Sequence, residues 1–161
     1  MVTVKINKRI LIMYKQVSII TLSMMLLMGC SGTVPTLGIN DGQLMPCPES
    51  PNCVNSQQSV ADEEHAIQPI EFVGTRQQAQ AKLLHVLKAA ERANIVVVED
   101  DYIRVEFTSQ IMRFVDDVEF YFPSTTSDNI TIHVRSASRI GESDFGVNRE
   151  RIEQIRNNVK L

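Results

Sequence analysis

Hydrophobic and polar positions divide the chain into segments of distinct period. Residues 17–28, Val-Ser-Ile-Ile-Thr-Leu-Ser-Met-Met-Leu-Leu-Met, are an uncharged and almost wholly apolar run. Residues 66–73 are a short apolar segment broken by Pro69, which reads as an edge strand because proline removes a ladder donor. Ala79, Leu83, Val86, Leu87 and Ala90 then recur at helical spacing and predict an amphipathic helix over 76–93. Thr75-Arg-Gln-Gln78 has the form of a capping box at its start, and Asn94 is a suitable left-handed stop. Ile95-Val-Val-Val98 is a β-rich run that Glu99-Asp-Asp101 turns into another strand, in which Ile103, Val105 and Phe107 alternate with Arg104, Glu106 and Thr108. Over 114–122 the alternation sets Phe114, Asp116, Val118, Phe120 and Phe122 against Val115, Asp117, Glu119 and Tyr121, so one carboxylate falls on the apolar face. A polar loop precedes a last strand over 130–138, and Ile152, Ile155 and Val159 stripe a final helix.

The pairing of the last two strands is constrained, because opposed residues share a face and a one-residue slip would expose every apolar group. Setting Phe122 against Ile130 puts Phe120 on Ile132, Val118 on Val134 and Asp116 on Ser136. On the other face it puts Glu119 against His133 and Asp117 against Arg135, acid against base. The order of elements predicts an α+β domain in two layers, an antiparallel meander sheet of about five strands with two helices packed on one face.

The start of the chain reads differently. Lys5, Lys8, Arg9 and Lys15 precede the apolar run, with no acid before Cys30. A basic region followed by an apolar run shorter than the roughly 20 residues of a membrane span predicts a secretory signal over 1–29. Leu27-Met28-Gly29-Cys30 resembles the bacterial lipobox, although Met28 is a less usual occupant. That resemblance implies acylation of Cys30 as the first residue of the mature chain, with the lipid bilayer as a partner. Ser31 follows in place of aspartate, which in a Gram-negative host implies the outer membrane, facing the periplasm. Loss of the leader removes four of 16 basic residues and none of the 19 acids, leaving a net charge of −7. An acidic surface offers no global field for nucleic acid, and that class of partner is excluded. Residues 31–46 are rich in glycine, proline and small polar groups, so 30–46 is expected to be a lipidated cysteine with a flexible tether, and 47–161 one domain.

Cys47-Pro-Glu-Ser-Pro-Asn-Cys53 follows. With Cys30 acylated, an oxidising compartment favours a disulfide between Cys47 and Cys53, which a turning spacer permits. The alternative is a metal or redox site in which His65 joins Cys47 and Cys53 as a soft ligand set. Their spacing matches no zinc motif and offers no fourth ligand, so the disulfide is preferred. His85 falls on the flank of the first helix, and His133 is read as a cross-strand partner rather than a lone base.

The junction from Arg135 to Arg156 concentrates polar groups where a strand turns into the last helix. Asp116, on the apolar face, needs a partner, because burying a bare charge is very costly. Arg139 is the first candidate and Arg149 the second. Asp144 is placed to cap the final helix, with Asn148 as the competing cap. The preferred reading is a buried network of Asp116, Ser136, Ser138, Arg139, Asp144, Asn148 and Arg149 that locks helix to sheet. The second reading is an anion pocket built from the arginines and the helix N-terminus. No Ser-His-Asp spacing, histidine cluster or phosphate loop is present, so no catalytic residue is assigned and no cofactor expected.

These motifs carry a resemblance. Cys47-Pro-Glu-Ser-Pro-Asn-Cys53-Val54, Asp62-x-x-His65-x-Ile67, Phe114-Val-Asp-Asp-Val-Glu-Phe120 and Arg135-Ser-Ala-Ser-Arg-Ile-Gly-x-x-Asp-x-Gly-x-Asn-Arg-x-Arg-Ile152 resemble the domain-of-unknown-function family numbered 1499. The resemblance spans roughly 45 to 156, with Asn55 departing from an expected serine. It implies a bacterial envelope lipoprotein and no established activity. The expected function is therefore a membrane-tethered module that binds an envelope protein or a small ligand. A carrier of lipid or another hydrophobic ligand, and a metal or redox module, are the alternatives.

Overall fold

The structure is a computed structural model that describes residues 32–127 and 129–160; the segment expected to be a secretory signal and Cys30, the expected acylation site, lie outside them. The elements run β1 (Cys53–Asn55), β2 (Ile70–Val73), α1 (Arg76–Ala89), β3 (Ala93–Val98), β4 (Tyr102–Thr108), β5 (Val115–Tyr121), β6 (Asn129–Ser138) and α2 (Val147–Lys160). They form an α+β fold with a six-stranded sheet in the order β1-β6-β5-β4-β3, in which β2 also pairs with β6. All the strand pairs are antiparallel. The four-strand meander is as expected. The sheet gains a strand because β6, ten residues long, has room on its free edge for two short partners. Ile70 pairs with Ile132 near one end, and Cys53 pairs with Ala137 near the other.

The capping box forms as its sequence dictates: Thr75 accepts from the Gln78 amide, and the Gln78 side chain accepts from the Thr75 amide. The helix ends sooner than expected, at Ala89 with Ala90 as its cap. Arg92 takes the left-handed conformation (φ 56°) assigned above to Asn94, which instead pairs with Glu106 in β3. Pairing against β4 captures these residues before the helix can extend, and the ladder overrides local stop signals.

The register of β5 on β6 differs from the expected one by two residues. Phe120 faces Val134, Val118 faces Ser136, and Asp116 faces Ser138. Glu119 meets Arg135 in place of His133, Asp117 meets Ala137, and Tyr121 meets His133. A two-residue slip returns every side chain to its own face, so burial alone does not distinguish the two registers. Cross-strand chemistry does, because the observed one joins Glu119 to Arg135 and stacks Tyr121 on His133.

One face of the sheet carries the core. Ala79, Leu83 and Leu87 of α1 and Ile152, Ile155 and Val159 of α2 are buried in one cluster with Ile103, Val118, Phe120 and Val134 of the sheet. The other face is covered, in part, by the segment expected to be a flexible tether. Gly38 donates its amide to Glu119 Oε1 at 3.1 Å. Leu44 is buried, and its amide donates to Gln57 Oε1, while Gln57 Nε2 donates to the Gly42 carbonyl. Gly32 lies so close to β6 that a Cβ there would meet Arg139 Cβ at 2.8 Å. The segment is irregular but docked, because the sheet and the 52–57 loop supply partners for its backbone groups. Among the described residues, no helix is long and apolar enough to cross a membrane.

Candidate functional site

Two clusters of charged side chains lie on opposite faces of the sheet. On the outer face, Glu119 is fully buried. It accepts from the Tyr102 hydroxyl at 2.7 Å, from Arg135 Nη1 at 3.2 Å and from the Gly38 amide. Beside it, Asp117 accepts from Arg104 Nη2 at 2.8 Å and from Arg139 Nε at 2.7 Å and Nη2 at 2.9 Å. Both arginines also reach Glu106. Burial and the Glu119 charge push the Tyr102 phenol far above its ordinary value. The hydrogen bonds to Asp117, and then to Glu106, hold the Arg139 guanidinium charged at any accessible pH despite its burial.

The inner cluster sits between sheet and helices, and it is here that the expected network is found in altered form. Asp116 points at α2, and its Oδ2 accepts from Arg151 Nη2 at 2.6 Å. Arg151 Nη1 donates to Asn148 Oδ1 at 2.6 Å and to Ser136 Oγ at 3.1 Å, and the Ser136 hydroxyl donates to the same amide oxygen. The Asn148 amide nitrogen donates to Ser138 Oγ and to the Asn52 carbonyl. Asp144 accepts from the backbone amides of Gly146 and Asn148, and so caps α2 as expected. Asn148 is not the competing cap, since its side chain is spent on the sheet.

Five of the expected network residues therefore come together: Asp116, Ser136, Ser138, Asp144 and Asn148. Neither expected arginine joins them. Arg139 leaves β6 on the outer face, and Arg149 lies off the buried stripe of α2, where it donates to the carbonyls of Ala66, Glu63 and Glu64. The arginine that does pair with Asp116, Arg151, was legible in principle: three after Asn148 and four before Ile155, it shares their helix face. Asn52, the other missed member, is held by the cysteine loop, where Cys47 and Cys53 form a disulfide with Cα atoms 5.6 Å apart. Both sulfurs are thereby withdrawn as thiolate ligands.

His65 is occupied as well, with Nδ1 on Asp62 at 2.9 Å and Nε2 on the Ser50 carbonyl at 3.2 Å. Partial desolvation raises the Asp62 carboxyl, but hydrogen bonds from His65 and Gln58 more than offset this and leave it below its usual value. Among the described residues, no cluster of histidine, cysteine and carboxylate side chains has the form of a metal site. His133 stacks on Tyr121 and bonds Ser56 Oγ through Nδ1, and burial holds its imidazole below the ordinary value although Glu71 opposes this. His85 is exposed on α1, as expected, but it borders the feature that follows.

Beside the inner cluster is a cleft of about 840 Å³ between the C-terminal half of α1, α2 and the β4–β5 end of the sheet. Val86, Ala89, Phe107 and Ile155 give it apolar walls, and Asp116 and Arg151 line its polar side. The Arg151 guanidinium stands 4.8 Å from the centroid of the Phe107 ring, a cation–π arrangement that fixes its plane. Lys82, His85 and Arg92 add basic groups at its rim, and Glu91 and Glu150 add acidic ones, so the anion-binding capacity is concentrated at Arg151. An arginine has more N–H donors than the three bonds made here, so the guanidinium retains capacity to bind at the cleft. The arrangement suits a molecule with an apolar body and an anionic group.

Comparison with known proteins gives a family and little more. A family model described as a protein of unknown function (DUF1499) matches residues 43–159. No curated protein matches the chain. Among solved structures, the crystal structure of TTHA0849 from Thermus thermophilus is similar at 12% identity, covering 57% of this chain and 86% of that one, with a TM-score of 0.28. A likeness of that size bears on neither the fold nor the function of this chain.

Proposed function

Because the chain belongs to the DUF1499 family of proteins of unknown function, its role has to be read from its residues, and we propose a lipid-anchored envelope domain that binds a small amphipathic anion. The observation that carries the binding reading is the cleft of about 840 Å³ beside Arg151. Its size falls in the range of small-molecule pockets, and it combines apolar walls with a few convergent polar groups. In the outer cluster the acids and arginines engage one another. The anchor reading rests on the leader, the lipobox-like Leu27-Met28-Gly29-Cys30 and the serine that follows, which favours the outer membrane facing the periplasm. In this reading, acylated Cys30 holds the domain at the bilayer and the cleft serves a ligand of the envelope.

The test uses the full chain, purified from its own envelope. Solvent extraction and mass spectrometry should find an amphipathic acid in near-stoichiometric amount with the natural protein. Ala89→Trp, which fills the cleft from α1, should lower that amount several-fold. Equal recovery from both proteins, or no such molecule in either, defeats the binding reading. Metabolic labelling with palmitate checks the anchor independently, and label retained by Cys30→Ala would refute it.

A further inference from the structure

We propose that the end of the domain formed by the β4–β5 loop and the loop before α2 docks into the surface of the bilayer, with Phe145, Ile111 and Met112 as the inserting side chains. The inference rests on the lipid-anchor reading above and adds an orientation to it. Three segments meet at this end of the sheet. Thr108 pairs with Val115, so residues 109–114 close the β4–β5 hairpin here. Asp116 pairs with Ser138 and the Arg139 amide donates to the Val115 carbonyl, so β6 leaves the sheet at the same end. Asn148 reaches Ser138, which brings the start of α2 and the loop before it alongside.

The apolar groups at this end have no use within the fold. Phe145 is 96% exposed and Ile111 86%, with Met112 beside it and Val147 also exposed. Single exposed apolar residues are ordinary, but large ones gathered on neighbouring loop tips mark a contact surface. Phenylalanine and aliphatic side chains on such tips gain free energy by entering the boundary between headgroups and acyl chains.

The path of the N-terminal segment identifies the occupant as lipid. Gly32 packs against Arg139 and Ile140, where a Cβ would lie 2.8 and 2.9 Å from their side chains. Only Ser31 separates Cys30 from Gly32 in the sequence, so an anchor on Cys30 joins the described domain at this end. The anchor and the apolar tips thus belong to one end of the domain. The opposite end is unsuited to the bilayer. There the β3–β4 turn carries Glu99, Asp100 and Asp101, and the Phe122 amide donates to the Asp101 carbonyl, bringing in the hydroxyl-rich loop that follows. Three consecutive carboxylates there are repelled by an anionic lipid surface; Glu142 and Asp144 also stand beside Phe145, so the orientation rests on the apolar tips and on where the N-terminal segment joins the domain. Ser109, Gln110 and Val147 also border the cleft, so docking sets one rim of the cleft beside the membrane.

The chain has no tryptophan, which makes a single reporter clean. Full-length lipidated F145W should be reconstituted on vesicles of phosphatidylethanolamine and phosphatidylglycerol, with V98W as the counterpart at the acidic end. The expected result is blue-shifted F145W emission that lipids brominated in their acyl chains quench several-fold more than V98W emission. Changing Ile111 and Met112 to serine in the F145W protein should weaken the quenching. Protein that floats with the vesicles while F145W stays unshifted and unquenched overturns the docking and leaves the anchor standing. Protein that fails to float overturns both. Equal quenching of F145W and V98W removes the orientation, and a shift present without lipid points to a second protein surface and equally overturns the proposal.

Discussion

Replacing Arg151 with methionine isolates the energetic role of the inner cluster. Methionine keeps an apolar stem beside Phe107 but withdraws the guanidinium donors that serve Asp116, Ser136 and Asn148. The Asp116 side chain is 12% exposed, and the Arg151 side chain 13%, so the carboxylate is left nearly desolvated with no charged partner. Removing one member of a buried pair costs about 3–5 kcal/mol, and contact with the cleft lets water recover part of that, so a loss of about 2–3 kcal/mol is expected. Urea unfolding followed by circular dichroism should show the midpoint falling by roughly 1–2 M with an unchanged slope. Asp116→Asn in the same protein removes the stranded charge. The double variant should therefore be more stable than the sum of the single changes implies, by about 1–3 kcal/mol. Additive changes, or a single-variant loss within about 0.5 kcal/mol, would refute the claim that this pair locks α2 to the sheet.

Three further outcomes follow from other groups. The folded state holds His133 below its ordinary value, so the unfolded chain takes up a proton first as pH falls. Its contribution to stability is full above about 6.5 and is lost below it, and His133→Gln should flatten melting temperature against pH in that window. Tyr102 is shifted the opposite way, so absorbance near 295 nm should show one phenol un-ionised above about 10 until the protein unfolds, and Tyr102→Phe should remove that late step. The disulfide closes a ring with a sequence separation of 6. Changing both cysteines to serine should cost roughly 2 kcal/mol in thermal or urea unfolding, and no loss would show that Asn52 is held without it.

How far the sequence speaks depends on the range over which each signal acts. The capping box of Thr75 and Gln78 is a contact between residues three apart, and it forms as read. Alternation along β4 and β5 identifies buried faces because pleating has a fixed period of two, and it isolates Asp116 as a carboxylate facing the helices. The same period hides a slip of two, which is why Arg135 is expected opposite Asp117 and found opposite Glu119. β1 is three residues long and is held by partners distant in sequence, β6 on one side and the His65–Ala66 backbone on the other, so no local pattern announces it. The docked course of residues 38–44 escapes notice for a similar reason: its partners Glu119 and Gln57 are distant in sequence, and glycine-rich composition reports freedom in isolation only. Arg151 is the instructive miss, since helix periodicity places it correctly while proximity to the strand end favours Arg139.

The two clusters differ in a way that separates a lock from a site. On the outer face Glu106, Asp117 and Glu119 meet Arg104, Arg135 and Arg139, with Tyr102 and Gly38 supplying further donors. Acid and base balance there, and Asp117 and Glu119 each accept from several sides. A group satisfied in this way gains nothing from a ligand, and an added anion would have to displace a buried ion pair at a cost of several kcal/mol. Its effect is to bind the N-terminal segment and the edges of β4 and β6 into one unit. On the inner face a single acid, Asp116, meets a single arginine, and that arginine borders open space with donors to spare. Helix α2 is fixed by Asn148 and its apolar stripe, so the guanidinium is held in place before any ligand arrives. Preorganisation of that kind lowers the ordering cost of binding, and it is the reason the anion proposed above is placed at the cleft beside Arg151 rather than at the arginines nearest the strand end.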